Sequence, residues 1–111
     1  MDSEIMELSG RVLYRFTGSE IKEPNGKTIF KVTGSEIKST SGRTLYKFTG
    51  DEIKETSGLT VYKYTGSEIK ERSGKVIFKY SATELKQPSG KTIFKFSGRI
   101  PVPVLFALGL I

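Results

Sequence analysis

The sequence predicts an all-β repeat protein of about 12 to 13 short strands, arranged as an antiparallel meander that forms a curled or barrel-like sheet. Three observations predict this fold class. Glycine recurs every eight residues, the runs between glycines are rich in β-branched and aromatic residues, and apolar side chains alternate with a period of two rather than 3.6. Length supports a single domain, since the chain has 111 residues.

The full repeat unit is sixteen residues long, as residues 25–38 (NGKTIFKVTGSEIK) and 41–54 (SGRTLYKFTGDEIK) show. We predict that these β-hairpin repeats fill residues 1–98, followed by an apolar, proline-containing tail at 99–111. Each pair of Ser, Thr or Asn with Gly is predicted to be a two-residue hairpin turn, because glycine tolerates the positive φ that such turns require. The series has one exception, Ala82, where we expect a strained or altered turn.

Cross-strand chemistry suggests the register of the meander. A turn centred on Thr33-Gly34 pairs Val32 with Ser35, Lys31 with Glu36 and Phe30 with Ile37. The next turn, at Ser41-Gly42, pairs Glu36 with Lys47, Ile37 with Tyr46 and Lys38 with Leu45. In this register the glutamates that recur with the repeat form a charged row with the basic residues, and every Glu of the row lies between two basic residues. Every Ile lies between two aromatics, and Lys47 lies between Glu36 and Glu52.

A two-sheeted β-solenoid with sixteen residues per coil is the alternative architecture. It would stack Lys on Lys and Glu on Glu about 4.8 Å apart. Opposed unlike charges contribute a few tenths of a kcal/mol per pair, and like charges cost a similar amount. The charge pattern therefore favours the meander over the solenoid.

The two faces of the predicted sheet differ in polarity. One face is aromatic and aliphatic, and it carries Thr28, Phe30, Val32 and Ile37. The other carries charged residues on either side of one aliphatic row. A long sheet with one apolar face must curl on itself, pack against another segment or pair with a second copy. We expect the tail to pack on the aromatic face of its own or a neighbouring chain, with a membrane-surface anchor or a disordered end as alternatives.

Composition excludes several kinds of chemistry. The chain has no Cys and no His, so disulfides, thiolate or imidazole metal sites and His-based acid/base devices are ruled out. Every Glu of the charged row recurs with the repeat beside Lys, which is typical of a solvated charge ladder rather than of a catalytic pair. We predict no enzymatic activity, no catalytic residue, no cofactor and no metal site.

Two binding functions fit the sequence. The first is a structural or assembly role through self-association into a homo-oligomer, by the aromatic face and the tail residues Val104, Leu105, Phe106, Leu108, Leu110 and Ile111. The second is binding of an anionic polymer, either nucleic acid or an anionic surface, because the chain has 18 Lys and Arg against 12 Asp and Glu. Its candidate contacts are the regular lysines Lys22, Lys38, Lys54, Lys70 and Lys86. Solubility and protection of sheet edges are the simpler explanations of these lysines.

The glycine-spaced aromatic hairpins resemble short β-hairpin repeat proteins, of which the MORN repeat is the best-known type. The unit here is shorter than a MORN unit and lacks its Gly-x-Gly pattern. The repeat is also similar to that of bacterial proteins of unknown function built from short Gly-Arg/Lys hairpins with apolar C-terminal tails. Neither resemblance implies a functional residue.

The ends of the chain suggest a location. Met1-Asp2-Ser3-Glu4 is acidic where a signal peptide is basic, which predicts a cytoplasmic protein. The apolar stretch Val102 to Ile111 is too short for a transmembrane helix, which needs about 20 residues.

Overall fold

A computed structural model describes residues 3–111 and shows an antiparallel meander of strands that closes into a barrel. The strands described are β1 Ser3–Met6, β2 Val12–Phe16, β3 Glu20–Lys22, β4 Thr28–Val32, β5 Glu36–Lys38, β6 Thr44–Phe48, β7 Glu52–Glu55, β8 Thr60–Tyr64, β9 Glu68–Glu71, β10 Val76–Tyr80, β11 Glu84–Lys86 and β12 Thr92–Ser97. One helix follows, α1 Val102–Ala107. The meander prediction is confirmed, and the solenoid alternative is wrong because consecutive strands pair antiparallel.

The barrel closes where β1 pairs with β12, through Ile5 opposite Phe96 and Glu4 opposite Ser97. Closure requires a stagger between strands, and the repeat supplies it. Pairing across two successive strands leads from Phe48 to Ile53 and then to Tyr62. The residue equivalent to Phe48 in the next repeat is Tyr64, which lies two residues beyond Tyr62. Each sixteen-residue unit therefore offsets the sheet by two residues.

The barrel has two rims, each formed by one kind of turn. The Ser-Gly rim consists of the turns at residues 7–11, 23–27, 39–43, 55–59, 71–75 and 87–91. The Thr-Gly rim consists of the turns at residues 17–20, 33–36, 49–52, 65–68 and 81–84. The molecule measures 37 × 36 × 19 Å. We take the two similar long dimensions as the cross-section of the barrel, since similar units repeat around its axis, and the short one as its height.

The turns of the Ser-Gly rim contain three loop residues rather than the predicted two. In the turn at 23–27, the Gly26 N–H donates to the Glu23 carbonyl at 2.9 Å, and the Glu23 N–H donates to the Lys27 carbonyl. This is a type I turn followed by a glycine bulge, which needs a left-handed residue. Gly26 has φ +95°, and its five equivalents lie between +95° and +99°. The bulge shifts the pairing, so that Lys22 faces Thr28 and Lys38 faces Thr44 instead of Leu45.

The turns of the Thr-Gly rim are centred one residue later than predicted. The Thr33 N–H donates to the Glu36 carbonyl at 2.9 Å, and the Thr33 hydroxyl accepts from the Glu36 N–H at 3.1 Å. The loop is therefore Gly34-Ser35, and the predicted pairs of Val32 with Ser35 and Phe30 with Ile37 are wrong. Val32 faces Ile37 and Lys31 faces Lys38 instead. The pairs of Ile37 with Tyr46 and Glu36 with Lys47 are confirmed.

The core is the inside of the barrel. Its centre is a ring of fully buried aliphatic side chains, namely Ile5, Ile21, Ile37, Ile53, Ile69 and Leu85. Aromatic residues of the long strands flank this ring on the same face. The predicted division into an apolar face and a charged face is therefore confirmed.

The C-terminal segment enters the lumen of its own barrel and occupies part of it. Residues 99–103 lie beside the Thr-Gly rim, and Ala107 lies beside Thr56 and Ser57 of the Ser-Gly rim. Pro101 is the N-cap of α1 and Pro103 lies in its first turn, where a missing N–H costs no helical hydrogen bond. Val104 and Leu105 are fully buried. The Phe106 ring makes edge contacts with Tyr46 and Tyr62, at centroid distances of 4.7 and 5.6 Å.

Candidate anion-binding surface

The outer wall of the barrel carries most of the charge of the protein. Strand alternation sends the aromatic residues inward and leaves two kinds of lysine outside. The exposed lysine row is formed by the fourth residue of each of the long strands β4, β6, β8, β10 and β12, namely Lys31, Lys47, Lys63, Lys79 and Lys95. The paired lysine row lies on the short strands and comprises Lys22, Lys38, Lys54, Lys70 and Lys86, which are the residues that the sequence suggested as anion contacts.

The register places lysine opposite lysine across alternate strand pairs. Lys31 faces Lys38, Lys47 faces Lys54, and the same pairing recurs at Lys63–Lys70 and Lys79–Lys86. The predicted alternation, in which every Glu lies between two basic residues, is therefore wrong. Lys47 lies between Glu36 and Lys54. Opposed like charges are destabilising by a few tenths of a kcal/mol per pair.

Each lysine of the paired row is neutralised by the glutamate two residues before it on the same strand. The Nζ–Oε1 distances in these five pairs are 3.3 to 3.8 Å. We attribute the geometry to repulsion, since Lys38 faces Lys31 across the sheet and leans instead towards Glu36. These side chains are about one-third exposed, so the pairs contribute little to stability.

The first repeat shows what happens without the paired lysine. Met6 occupies the position two residues after Glu4, where the other repeats have Lys. There Glu4 bonds across the strands to Arg15, with a distance of 3.7 Å between Oε2 and Nε. The glutamate thus takes the cross-strand basic residue when its own strand offers none.

Each lysine of the exposed lysine row faces a Glu across one strand pair but makes no ion pair with a carboxylate among residues 3–111, and all five side chains are exposed. Counted over the described strands, the outer wall holds eleven basic and six acidic residues, a net charge of +5 against +6 for the whole chain. From β3 to β12 the order of charges around the wall is Glu, Lys, Lys in each repeat, whereas at the closing strands Lys95 faces Met6 and Arg15 faces Lys22. The excess positive charge is therefore spread around the barrel.

The tail residues suggested for self-association face inward or line the lumen end. Val104 and Leu105 have no exposed surface, and Phe106, Leu108, Leu110 and Ile111 are partly buried against the core. They pack within their own chain, as one of the tail alternatives predicted. Self-association itself stays a prediction.

Two tyrosines at the Thr-Gly rim bond to backbone carbonyls. The Tyr80 hydroxyl donates to the Ile100 carbonyl and so fastens the tail where it enters the lumen. The Tyr64 hydroxyl donates to the Thr49 carbonyl. Burial raises the pKa of Tyr80, against the opposing charge of Arg99. Burial and the negative charge of Asp51 raise the pKa of Tyr64. Both groups are therefore neutral hydrogen-bond donors at neutral pH.

A cavity of about 580 Å³ opens at the Ser-Gly rim beside α1. Phe30, Ile37, Tyr46 and Ala107 give it a mostly apolar lining, and Glu55 lies exposed at its mouth. A lumen shared with the tail accounts for this space, because one short helix does not fill a barrel of this width evenly.

The chain matches no protein-family model, no curated protein and no solved structure. The resemblance to MORN and bacterial hairpin repeats therefore stays a prediction. Within residues 3–111, no helix is long and apolar enough to cross a membrane.

The sequence suggested Lys22, Lys38, Lys54, Lys70 and Lys86 as anion contacts because they recur regularly, and that suggestion stays a prediction. The structure pairs each of them with a Glu of its own strand, an arrangement that the predicted register did not show. The signal that would have corrected this is the Thr or Ser at the first position of every Thr-Gly turn. Its hydroxyl caps the Glu N–H and moves the turn by one residue.

Proposed function

We propose that this protein is a binding module for anionic polymers, which contact the outer wall of the barrel through the exposed lysine row. The observation that carries the proposal is the row of five exposed lysines that make no ion pair with a carboxylate among the described residues, although each faces a Glu across the sheet. A polymer of phosphates supplies the counter-charges that this wall lacks.

Protection of sheet edges does not explain these lysines. Edge strands use lysine to prevent pairing with other chains, and a closed barrel has no edge strand. Solubility needs charge, but it does not need lysine opposite lysine in four strand pairs. A balanced wall with Glu at half of these positions would keep the protein soluble and remove the repulsion. Binding of a polyanion explains why the excess has one sign.

The wall is suited to backbone charges rather than to base recognition. The aromatic residues of the strands face the lumen with the buried isoleucines, so they offer no stacking platform outside. Binding is therefore expected to be insensitive to sequence and steeply dependent on salt.

Fluorescence anisotropy with a labelled oligothymidylate at several salt concentrations tests this function. The variant Lys47→Gln/Lys63→Gln/Lys79→Gln removes three contacts. It should lower the slope of log K against log salt by about 2, since each phosphate contact contributes about 0.7 for single strands. The control Lys27→Gln/Arg43→Gln/Lys75→Gln removes the same charge from the Ser-Gly rim and should change the slope by less than about 1. Equal losses in both variants, or no binding by the parent protein, would show the proposal to be wrong.

Self-association is the other function that the sequence suggested, and it stays a prediction. Val104 and Leu105 are buried in their own barrel, so a second copy would have to contact other residues. Size-exclusion chromatography with light scattering, at low and high salt, measures the mass of the particle. A discrete oligomer indifferent to salt supports this function, and a monomer contradicts it.

A further inference from the structure

The exposed lysine row occupies five of the six repeat positions in a ring around a convex wall, the sixth being Arg15, which pairs with Glu4, and this shape restricts the polymers that can contact it. Equivalent residues of successive repeats lie at the same height, because the repeats succeed one another around the barrel axis. Strands about 4.8 Å apart and a stagger of two residues per repeat place the Cα atoms of successive lysines about 12 Å apart, and their side chains diverge outwards from there. Lys31 and Lys79 are three repeats apart and lie on opposite sides of the wall.

A stiff polymer reaches only part of this ring. The wall is 36–37 Å across, so a straight rod touches it along one line and meets one or two of the lysines. A DNA duplex that followed the wall would bend by about 70° per helical turn, against about 45° in the nucleosome. This bending far exceeds what five lysines can support, since nucleosome wrapping uses contacts at every turn.

A single strand bends freely enough to follow the ring. We propose, on the basis of the function above, that the ligand is single-stranded nucleic acid wrapped around the outside of the barrel. The aliphatic side chains beside the lysines favour nucleic acid over inorganic polyphosphate, because they offer apolar surface to sugars and bases. These half-buried residues are Leu13, Ile29, Leu45, Val61, Ile77 and Ile93.

Competition binding separates the polymers. Oligothymidylate, a duplex with the same number of phosphates and inorganic polyphosphate of the same length compete for the protein against a labelled single strand. We expect the single strand to bind at least 10-fold more tightly than the duplex, and more tightly than polyphosphate. A duplex that binds equally well overturns wrapping but leaves the proposed function standing. Tighter binding by polyphosphate overturns the assignment to nucleic acid, and absence of any binding overturns both proposals.

Substitutions of lysines on opposite sides of the wall provide the second test. Lys31→Gln and Lys79→Gln should each lower the salt slope for a long oligothymidylate by about 0.7, and the double variant by about 1.4. On an oligonucleotide too short to span half of the ring, the double variant should lose no more than either single variant. Additive losses on the short oligonucleotide, or none on the long one, would contradict wrapping. Circular dichroism confirms that these exposed substitutions leave the fold intact.

Discussion

A hydroxyl group at the first position of each Thr-Gly turn fixes the arrangement of charge on the wall. The Thr33 hydroxyl accepts the Glu36 N–H at 3.1 Å, and Thr17, Thr49, Thr65 and Ser81 do the same in their turns. A side-chain hydrogen bond of this kind contributes about 1 kcal/mol, whereas an exposed cross-strand ion pair contributes a few tenths. Turn chemistry therefore outweighs charge alternation, and lysine faces lysine.

The turn at Ala82 lacks the backbone strain that the sequence predicted there. No residue other than glycine has positive φ within residues 3–111, and Gly34, Gly50 and Gly66 also lie outside the left-handed region. Ala82 thus occupies a kind of turn that needs no positive φ in three of its four glycine-containing copies, the exception being Gly18 with φ +105°. The expectation of a strained turn there is wrong.

Substitutions in the two kinds of turn should therefore differ in their effect on the free energy of unfolding. Ala82→Gly should be neutral or destabilising by up to about 1 kcal/mol, because it only adds freedom to the unfolded chain. Gly42→Ala should destabilise by about 1 kcal/mol or more, because Gly42 has φ +96° with open space around it. Urea unfolding measures both. A stabilising Ala82→Gly would show that this turn is strained after all.

Lys47→Glu distinguishes the observed register from the one expected from charge alternation. Lys47 faces Glu36 on one side and Lys54 on the other, so reversal exchanges one attraction for one repulsion. The free energy of unfolding at low salt should change by less than about 0.5 kcal/mol. A loss of about 1–2 kcal/mol would support the register in which Lys47 lies between two glutamates.

At the scale of the strands, the sequence predicts which face of the sheet each side chain occupies, but not which residues lie opposite each other. A shift of two residues keeps every side chain on its face, so both registers bury the same residues. The alternation of Ile with aromatic residues could not separate the two registers either. Ile53 lies between Phe48 and Tyr62 in the structure, and it would lie between Tyr46 and Tyr62 in the predicted register.

The helix was not predicted from the sequence. Its two prolines suggested the end of a sheet, and a helix of six residues, Val102–Ala107, is too short to be stable alone. It forms because the closed barrel offers an apolar lumen that must be filled. The sequence shows the apolar face and the apolar tail, but the diameter that brings them together depends on closure.

The helix should be essential to the core. Leu105→Ala removes a side chain with no exposed surface and should destabilise by about 2–5 kcal/mol. Leu59→Ala is the matched control, because Leu59 is half-exposed at the Ser-Gly rim. It should cost less than about 0.5 kcal/mol. Similar small effects of both substitutions on the thermal midpoint would show that the tail lies outside the core.

The seam between β1 and β12 depends on one glycine. Gly98 has φ +80°, and a Cβ there would lie 2.5 Å from the Ser3 Oγ. Gly98→Ala should therefore destabilise by more than about 1 kcal/mol, through backbone strain and this contact. Gly34→Ala, in an open turn, is the control and should be nearly neutral. Ser3→Gly should recover part of the loss, and equal effects at both glycines would contradict the closed seam.

At the scale of the whole molecule, closure turns a repeated charge pattern into a ring. In an open sheet the same lysines would form a flat stripe that a straight duplex could follow. Composition showed the excess of positive charge. The distribution of that charge depends on where each turn is centred, and the curvature of the surface that carries it depends on closure of the barrel. The sequence therefore predicted a basic surface but not the residues that form the exposed lysine row.

Mapping of lysine protection tests the central claim most directly. The protein is reductively methylated with and without a long oligothymidylate, and mass spectrometry measures the modification of each lysine. The account predicts that Lys31, Lys47, Lys63, Lys79 and Lys95 are protected together, while the rim residues Lys27, Lys75 and Lys91 react as in the free protein. Protection confined to the rim lysines, or to one side of the wall, would contradict it.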